Sequence, residues 1–103
     1  MFKKEIRQWG WFKTLIKTKR FWIKEIFVEA RKKTSLQSHF HRTEYWFFLD
    51  DRSFQKVAKE EKHRITGGRK GRRLIEIAIG LPEEEDIIRY QDDYGRAGKS
   101  LEK

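Results

Sequence analysis

The feature that most constrains this chain is its apolar rhythm, which is the rhythm of strands. Phe21-Trp22-Ile23-Lys24-Glu25-Ile26-Phe27-Val28-Glu29 and Leu74-Ile75-Glu76-Ile77-Ala78-Ile79 are rich in aromatic and β-branched side chains. Such side chains fit a pleated, half-buried surface. Lys13 to Lys17 is a shorter segment of the same kind, and Phe54 to Val57 a weaker one. Glu44 to Leu49 is so apolar that both of its faces are expected to be buried. Gly67-Gly68-Arg69-Lys70-Gly71 reads as a turn or loop, because glycine supplies the positive φ angles that turns need. Ala58 to Lys62 favours a helix by propensity but lies between two β segments, so a loop or a short helical turn is expected. After Ile79 the texture changes. Gly80-Leu81-Pro82 stops the strand, and Pro82 to Asp86 resembles a helix start, with proline and acids in the first turn. Ile87 to Tyr90 continues as a turn of helix or a short strand. The expectation is an all-β chain with a short C-terminal helical or irregular segment.

At 103 residues the chain is one domain, read here as residues 1–97 with a mobile tail over 98–103. Charged residues make up 40% and hydrophobic ones 37%, so the core must be lean. Aromatic residues at 15% compensate, since large rings bury much area each. The absence of cysteine excludes disulfides and thiolate metal sites. No apolar run approaches the ~20 residues of a membrane span. The basic N-terminus has no apolar core behind it, unlike a secretory signal, and the cytoplasm is the expected location.

The net charge of +9 is uneven. Residues 1–52 hold 13 basic and 6 acidic side chains, and residues 53–103 hold 12 and 10. A basic surface draws anions such as phosphorylated small molecules, nucleic acid or an acidic partner. Nucleic acid is disfavoured, because the aromatics alternate like core residues and no recognition-helix or RNA-binding signature is present. Abundant Lys, Glu and Arg with no Cys and one Met is also the composition of a heat-adapted protein.

One stretch carries chemistry. Ser35-Leu36-Gln37-Ser38-His39-Phe40-His41-Arg42-Thr43-Glu44-Tyr45-Trp46 packs an amide, two imidazoles and a carboxylate together. If extended, it points Gln37, His39 and His41 to one face, since strand side chains alternate. Such a row of nitrogen and oxygen donors suits a divalent metal. Glu44 has the opposite parity and joins them only if the chain turns between His41 and Glu44. His63 is a further donor.

Together these segments resemble the C-terminal cupin domain of type II phosphomannose isomerases and their stand-alone relatives. Arg7-Gln8-Trp9-Gly10-Trp11 is similar to the entry of that domain, and Gln37 to Trp46 to its first metal motif. Lys62-His63-Arg64-Ile65 is similar to the second histidine motif, and Glu85 to Arg96 to the C-terminal signature. The resemblance implies a double-stranded β-helix, a small jelly roll of two sheets with a metal inside. It implies His39, Glu44 and His63 as ligands, with Gln37 or His41 as the fourth and Gln37 better spaced. Zinc, manganese, iron or nickel all suit that set. It implies a metal-dependent isomerase of sugar phosphates, with Arg42, Arg64, Arg89 and Arg96 as candidate phosphate-binding residues. The alternative is a non-catalytic module for a metal or sugar phosphate.

The chain also departs from the family pattern. Between Trp46 and His63 it is shorter by roughly one two-strand hairpin of typical length. Gln8, Arg31, Asp51, Arg52, Ala58 and Glu60 stand where the family has glycine or proline, which suggests that those turns no longer exist in the same form. A barrel so shortened exposes strand edges. A homodimer, possibly by strand exchange, would cover them, with some of Phe21, Trp22, Phe27, Trp46, Phe47 and Phe48 at the interface.

Overall fold

A computed structural model describes residues 3–95. Arg96 and the tail over 98–103 lie outside the described residues. The described chain is all-β, with eight strands and no helix. In order they are β1 (Lys4–Arg7), β2 (Gly10–Lys17), β3 (Phe21–Val28), β4 (Leu36–Ser38), β5 (Arg42–Phe48), β6 (Phe54–Val57), β7 (Arg72–Gly80) and β8 (Ile88–Gln91). Six of them form one antiparallel sheet in the order β1-β2-β3-β7-β5-β6, and β4 and β8 form a second. The segment around His63 joins the second layer through bridges from Gln37 to His63 and from Lys33 to Thr66.

Period-two alternation decides which side chains meet between the layers. On β3 the buried positions are Trp22, Lys24, Ile26 and Val28; on β5 they are Arg42, Glu44, Trp46 and Phe48; on β7 they are Leu74, Glu76 and Ala78. Phe12, Ile26, Val28, Trp46, Phe48 and Leu74 form the core with Val57 and Ile65. The other end of the same inward surface is polar, with Lys24, Arg42, Glu44 and Glu76 all buried.

Three expectations need correction. Pro82 to Asp86 forms turns and not a helix, and the chain re-enters as β8. Glu44 to Leu49 is buried on one face only: Phe47 and Leu49 are exposed. Among the residues lacking the family's glycine, Arg31, Arg52 and Glu60 nonetheless sit at positive φ of 64°, 60° and 64°. These three hold the left-handed conformation without glycine, at a cost of roughly 1–2 kcal/mol each. Where glycine was kept, the reason is visible. A Cβ on Gly10, at φ 153°, would stand 1.9 Å from the Phe27 carbonyl oxygen, and one on Gly80, at φ 135°, 2.4 Å from that of His41.

The shortened region is resolved simply. A tight connection over 49–53 turns β5 into β6, and β6 ends as an edge of the large sheet. The chain then runs through 58–62 directly to His63.

Candidate metal centre

The strand expected from Gln37 to His41 ends at Ser38. The chain then turns over 39–41 and re-enters as β5 at Arg42. Asp86 fixes this turn. Its buried carboxylate accepts the amides of Phe40 at 2.9 Å and His41 at 2.8 Å, while its carbonyl accepts His39 Nδ1 at 2.6 Å. Burial opposes ionisation of Asp86, but the two amides hold its carboxyl below the ordinary range. The turn sends His39 inward and leaves His41 exposed. Glu44 points inward from β5, and His63 is held by a two-way backbone pairing with Gln37.

These placements bring His39, Glu44 and His63 together as a buried cluster whose ligand atoms all lie within 4.8 Å of one another. His39 Nε2 stands 3.4 Å from Glu44 Oε2, and His63 Nε2 stands 3.7 Å from Glu44 Oε1. The two imidazole Nε2 atoms face each other at 3.0 Å. Each ring commits its other nitrogen to a carbonyl, His39 Nδ1 to Asp86 and His63 Nδ1 to Glu61 at 2.9 Å. A carbonyl only accepts, so both Nδ1 atoms carry a proton, and the neutral His39 ring presents its Nε2 lone pair to the cluster. Burial drives the His39 pKa down to about 4, against the pull of Glu44 and with the help of Arg42 and His63, so this ring is neutral at pH 7. Two imidazole nitrogens facing each other at this distance need a positive charge, a proton or a metal ion, between them. Backbone-anchored rings with a carboxylate are also the usual support of a bound divalent ion. The donor set therefore fits a metal. Gln37 lines the same cavity and His41 does not.

Arg42 already engages two of these groups. Its Nε donates to Glu44 Oε2 at 2.8 Å, its Nη2 to His39 Nε2 at 3.1 Å, and its Nη1 to the Glu83 carbonyl at 2.8 Å. Trp46 Nε1 donates to the other Glu44 oxygen at 3.0 Å. Burial alone would raise the Glu44 pKa, but Arg42, His39 and His63 bring it down to about 2.

The cavity holds about 130 Å³ and extends beyond the cluster past Trp22, Lys24 and Glu76 to Arg7 and Glu84. Lys24 Nζ lies 3.7 Å from the Trp22 ring centre and pairs with Glu84 at 2.5 Å. Glu76 accepts Trp22 Nε1 at 2.7 Å. Burial, followed by the charge of Glu44, pushes the Glu76 pKa up to about 7 despite Lys24 and Arg42. A carboxyl raised this way is most favourable to folding below about pH 4.5, and that contribution is lost as the pH climbs to 7. Glu76→Gln keeps an acceptor for Trp22 and removes the charge. In chelator, its stability advantage over wild type is expected to grow from near zero at pH 4.5 to at most about 3 kcal/mol at pH 8. Urea melts across that range check it, and a gap that does not change with pH would refute it.

Of the four arginines named from the sequence, Arg42 lines the cavity. Arg64 bonds the Thr34 carbonyl at 3.2 Å away from it, Arg89 lies on β8 outside the lining, and Arg96 is outside the described residues. Sequence reading passed over Lys24, Glu76, Asp86 and Arg7. The signal for the first two was present, as charges at inward positions of apolar strands, Lys24 on β3 and Glu76 on β7.

Comparison with known proteins is consistent with this arrangement. The family described as "Mannose-6-phosphate isomerase C-terminal" matches residues 1–68. The xanthan biosynthesis protein XanB of Xanthomonas campestris is 30% identical over 111 residues, covering 91% of this chain and 24% of the relative. A mannose-1-phosphate guanylyltransferase of Sinorhizobium fredii is 31% identical over 105 residues, covering 85% and 20%. The chain thus spans about a quarter or less of the length of these curated relatives. The first alignment is longer than the chain itself, so that relative carries residues with no counterpart here. Among solved structures, the polyketide cyclase RemF of Streptomyces resistomycificus superposes with a TM-score of 0.58 at 16% identity, covering 82% of this chain and 83% of RemF. The fold is a cupin-like double-stranded β-helix.

Proposed function

The chain belongs to the mannose-6-phosphate isomerase C-terminal family, and on that premise we propose that its cavity binds a divalent metal and isomerises a sugar phosphate. The observation that carries this reading is the facing pair of imidazole Nε2 atoms at 3.0 Å beside the Glu44 carboxylate. His39, Glu44 and His63 would hold the ion, with Gln37 as the fourth donor. When bound, it would polarise the sugar carbonyl as a Lewis acid.

The remaining roles fall to the chain's own groups. Glu76, ionising near neutral pH, suits a proton that leaves one carbon and returns to its neighbour. Lys24 and Arg7 supply positive charge at the far side of the cavity, where a phosphate would sit. Arg42 positions Glu44 and His39, since its donors are committed to them and to Glu83. The setting is sugar-phosphate metabolism, and we place it in the cytoplasm.

The second reading is a module that binds the metal or the sugar phosphate without turnover. Glu84 on Lys24 favours it, because a carboxylate already occupies the cation that a phosphate would need. Metal-loaded protein incubated with mannose 6-phosphate separates the two. Formation of the ketose phosphate, lost in Glu76→Gln while metal content is unchanged, is expected of the isomerase. Substrate binding with no product would establish the module instead.

A further inference from the structure

The outward face of the large sheet is apolar where a monomer's surface should be wet. The registers place Ile16, Ile23, Ile77 and Tyr45 in one row across β2, β3, β7 and β5. Phe21 and Ile79 lie in the row to one side, and Ile75, Phe47 and Phe54 in the row to the other. Ile16 is 47% exposed, Phe47 40%, Phe54 55% and Ile79 50%. Phe54 lies between Phe47 and Tyr45, with ring centres 4.9 and 6.0 Å away.

At its other end the same face covers its own rings. Trp11 lies beside Phe27, and Lys4, Lys13 and Arg73 stand 4.3, 5.5 and 5.4 Å from the Trp11 ring centre. Among the described residues no such cation lies over Phe47 or Phe54. The nine apolar side chains form one continuous patch. Its rim carries both signs: Lys13 and Lys56, and the pair Arg73–Glu25 at 3.7 Å.

We propose that this patch is the contact by which two copies of the chain form a two-fold dimer, sheet against sheet. Three observations single out a second copy. Four of the nine side chains are 40–55% exposed, which with the five partly exposed ones and a rim suits the roughly 800 Å² per partner of a stable interface. The nine side chains carry no charge, so the centre of the contact brings no like charges together although each chain carries +9. The facing surface that a twisted antiparallel sheet packs on best is another such sheet, crossing at about 30°. Alternation accounts for the division of the aromatics: Trp22, Trp46 and Phe48 fill the interior, leaving Phe21, Phe27 and Phe47 outside. The contact needs no strand exchange, since β6 keeps its pairing with β5.

The test is sedimentation of the full 103-residue chain with and without substitutions on the patch. Wild type is expected at twice the 12.6 kDa chain mass at micromolar concentration. Ile77→Lys at the patch centre is expected to weaken the dimer at least about thirtyfold, as loss of a central anchor does. Phe47→Lys and Phe54→Lys, at exposed positions where folding is not at stake, are expected to do the same. Far-ultraviolet circular dichroism confirms that each variant is folded. A wild-type monomer at 100-micromolar concentration, on the order of the weakest specific complexes, would overturn the proposal. A dimer that survives in folded Phe47→Lys and Phe54→Lys would overturn it too and would point to edge-strand exchange.

Discussion

Zinc added to chelator-treated protein is expected to bind at one ion per chain. It is expected to stabilise the fold by about 2.7 kcal/mol once the free ion stands a hundredfold above its dissociation constant. The reason lies in the two facing imidazoles. Their Nδ1 protons are fixed on the Asp86 and Glu61 carbonyls, so the Nε2 atoms stay aimed at each other and at Glu44. An ion between them would take a bond from each ring and share the charge of Glu44. His39→Ala removes one ligand, and Glu44→Gln removes the charge while keeping an oxygen for Trp46 Nε1. Each is expected to weaken zinc binding by more than the 10–100-fold that loss of an outer partner costs. Calorimetric titration reads both. If the protein prepared without chelator holds no metal and takes up none, the metal reading fails, and the isomerase reading with it.

Arg42→Met is expected to destabilise the metal-free protein and to be partly rescued by metal. In chelator, Glu44 would be left as a buried carboxylate without its guanidinium, a loss that typically costs 3–5 kcal/mol. With zinc present the ion supplies positive charge beside Glu44, so part of that loss is expected to be recovered, about 1.4 kcal/mol for each tenfold gain in zinc affinity. Arg42 also donates to His39 Nε2, the lone pair a metal would use, so its removal is expected to tighten zinc binding about tenfold. Paired urea melts in chelator and in saturating zinc measure the rescue. A variant as stable as wild type in chelator, or one that zinc leaves unrescued, would show that Arg42 does not hold this charge in place.

Much of the site was legible because ligand chemistry is written in residue type and short spacing. His39 and Glu44 sit five residues apart in sequence, and His63 stands in a motif of its own, so the family resemblance brought them together before any coordinates did. The turn between them was misplaced. Alternation carried the strand on to His41, whereas two amide bonds from Asp86, more than forty residues away, end it at Ser38. A sequence offers no register between such distant groups. Lys24 and Glu76 were passed over because a charge in an apolar strand reads as an outward residue until the neighbouring strand fixes its parity. Arg31, Arg52 and Glu60 were read as marks of lost turns, yet the surrounding fold holds them in left-handed conformations that their own propensities disfavour.

By itself, the sequence determined the all-β class and the strands β3 and β6 nearly to the residue, and it named His39, Glu44 and His63 among five candidate ligands. Those outcomes depend on local periodicity and on side-chain chemistry, which travel with the residue. Only the tertiary structure decided which face of each strand looks inward, which nitrogen of each imidazole keeps its proton, and which charges end beside Glu44. Each of these depends on partners distant in the chain, and an electrostatic or packing energy exists only once those partners are brought within a few ångströms.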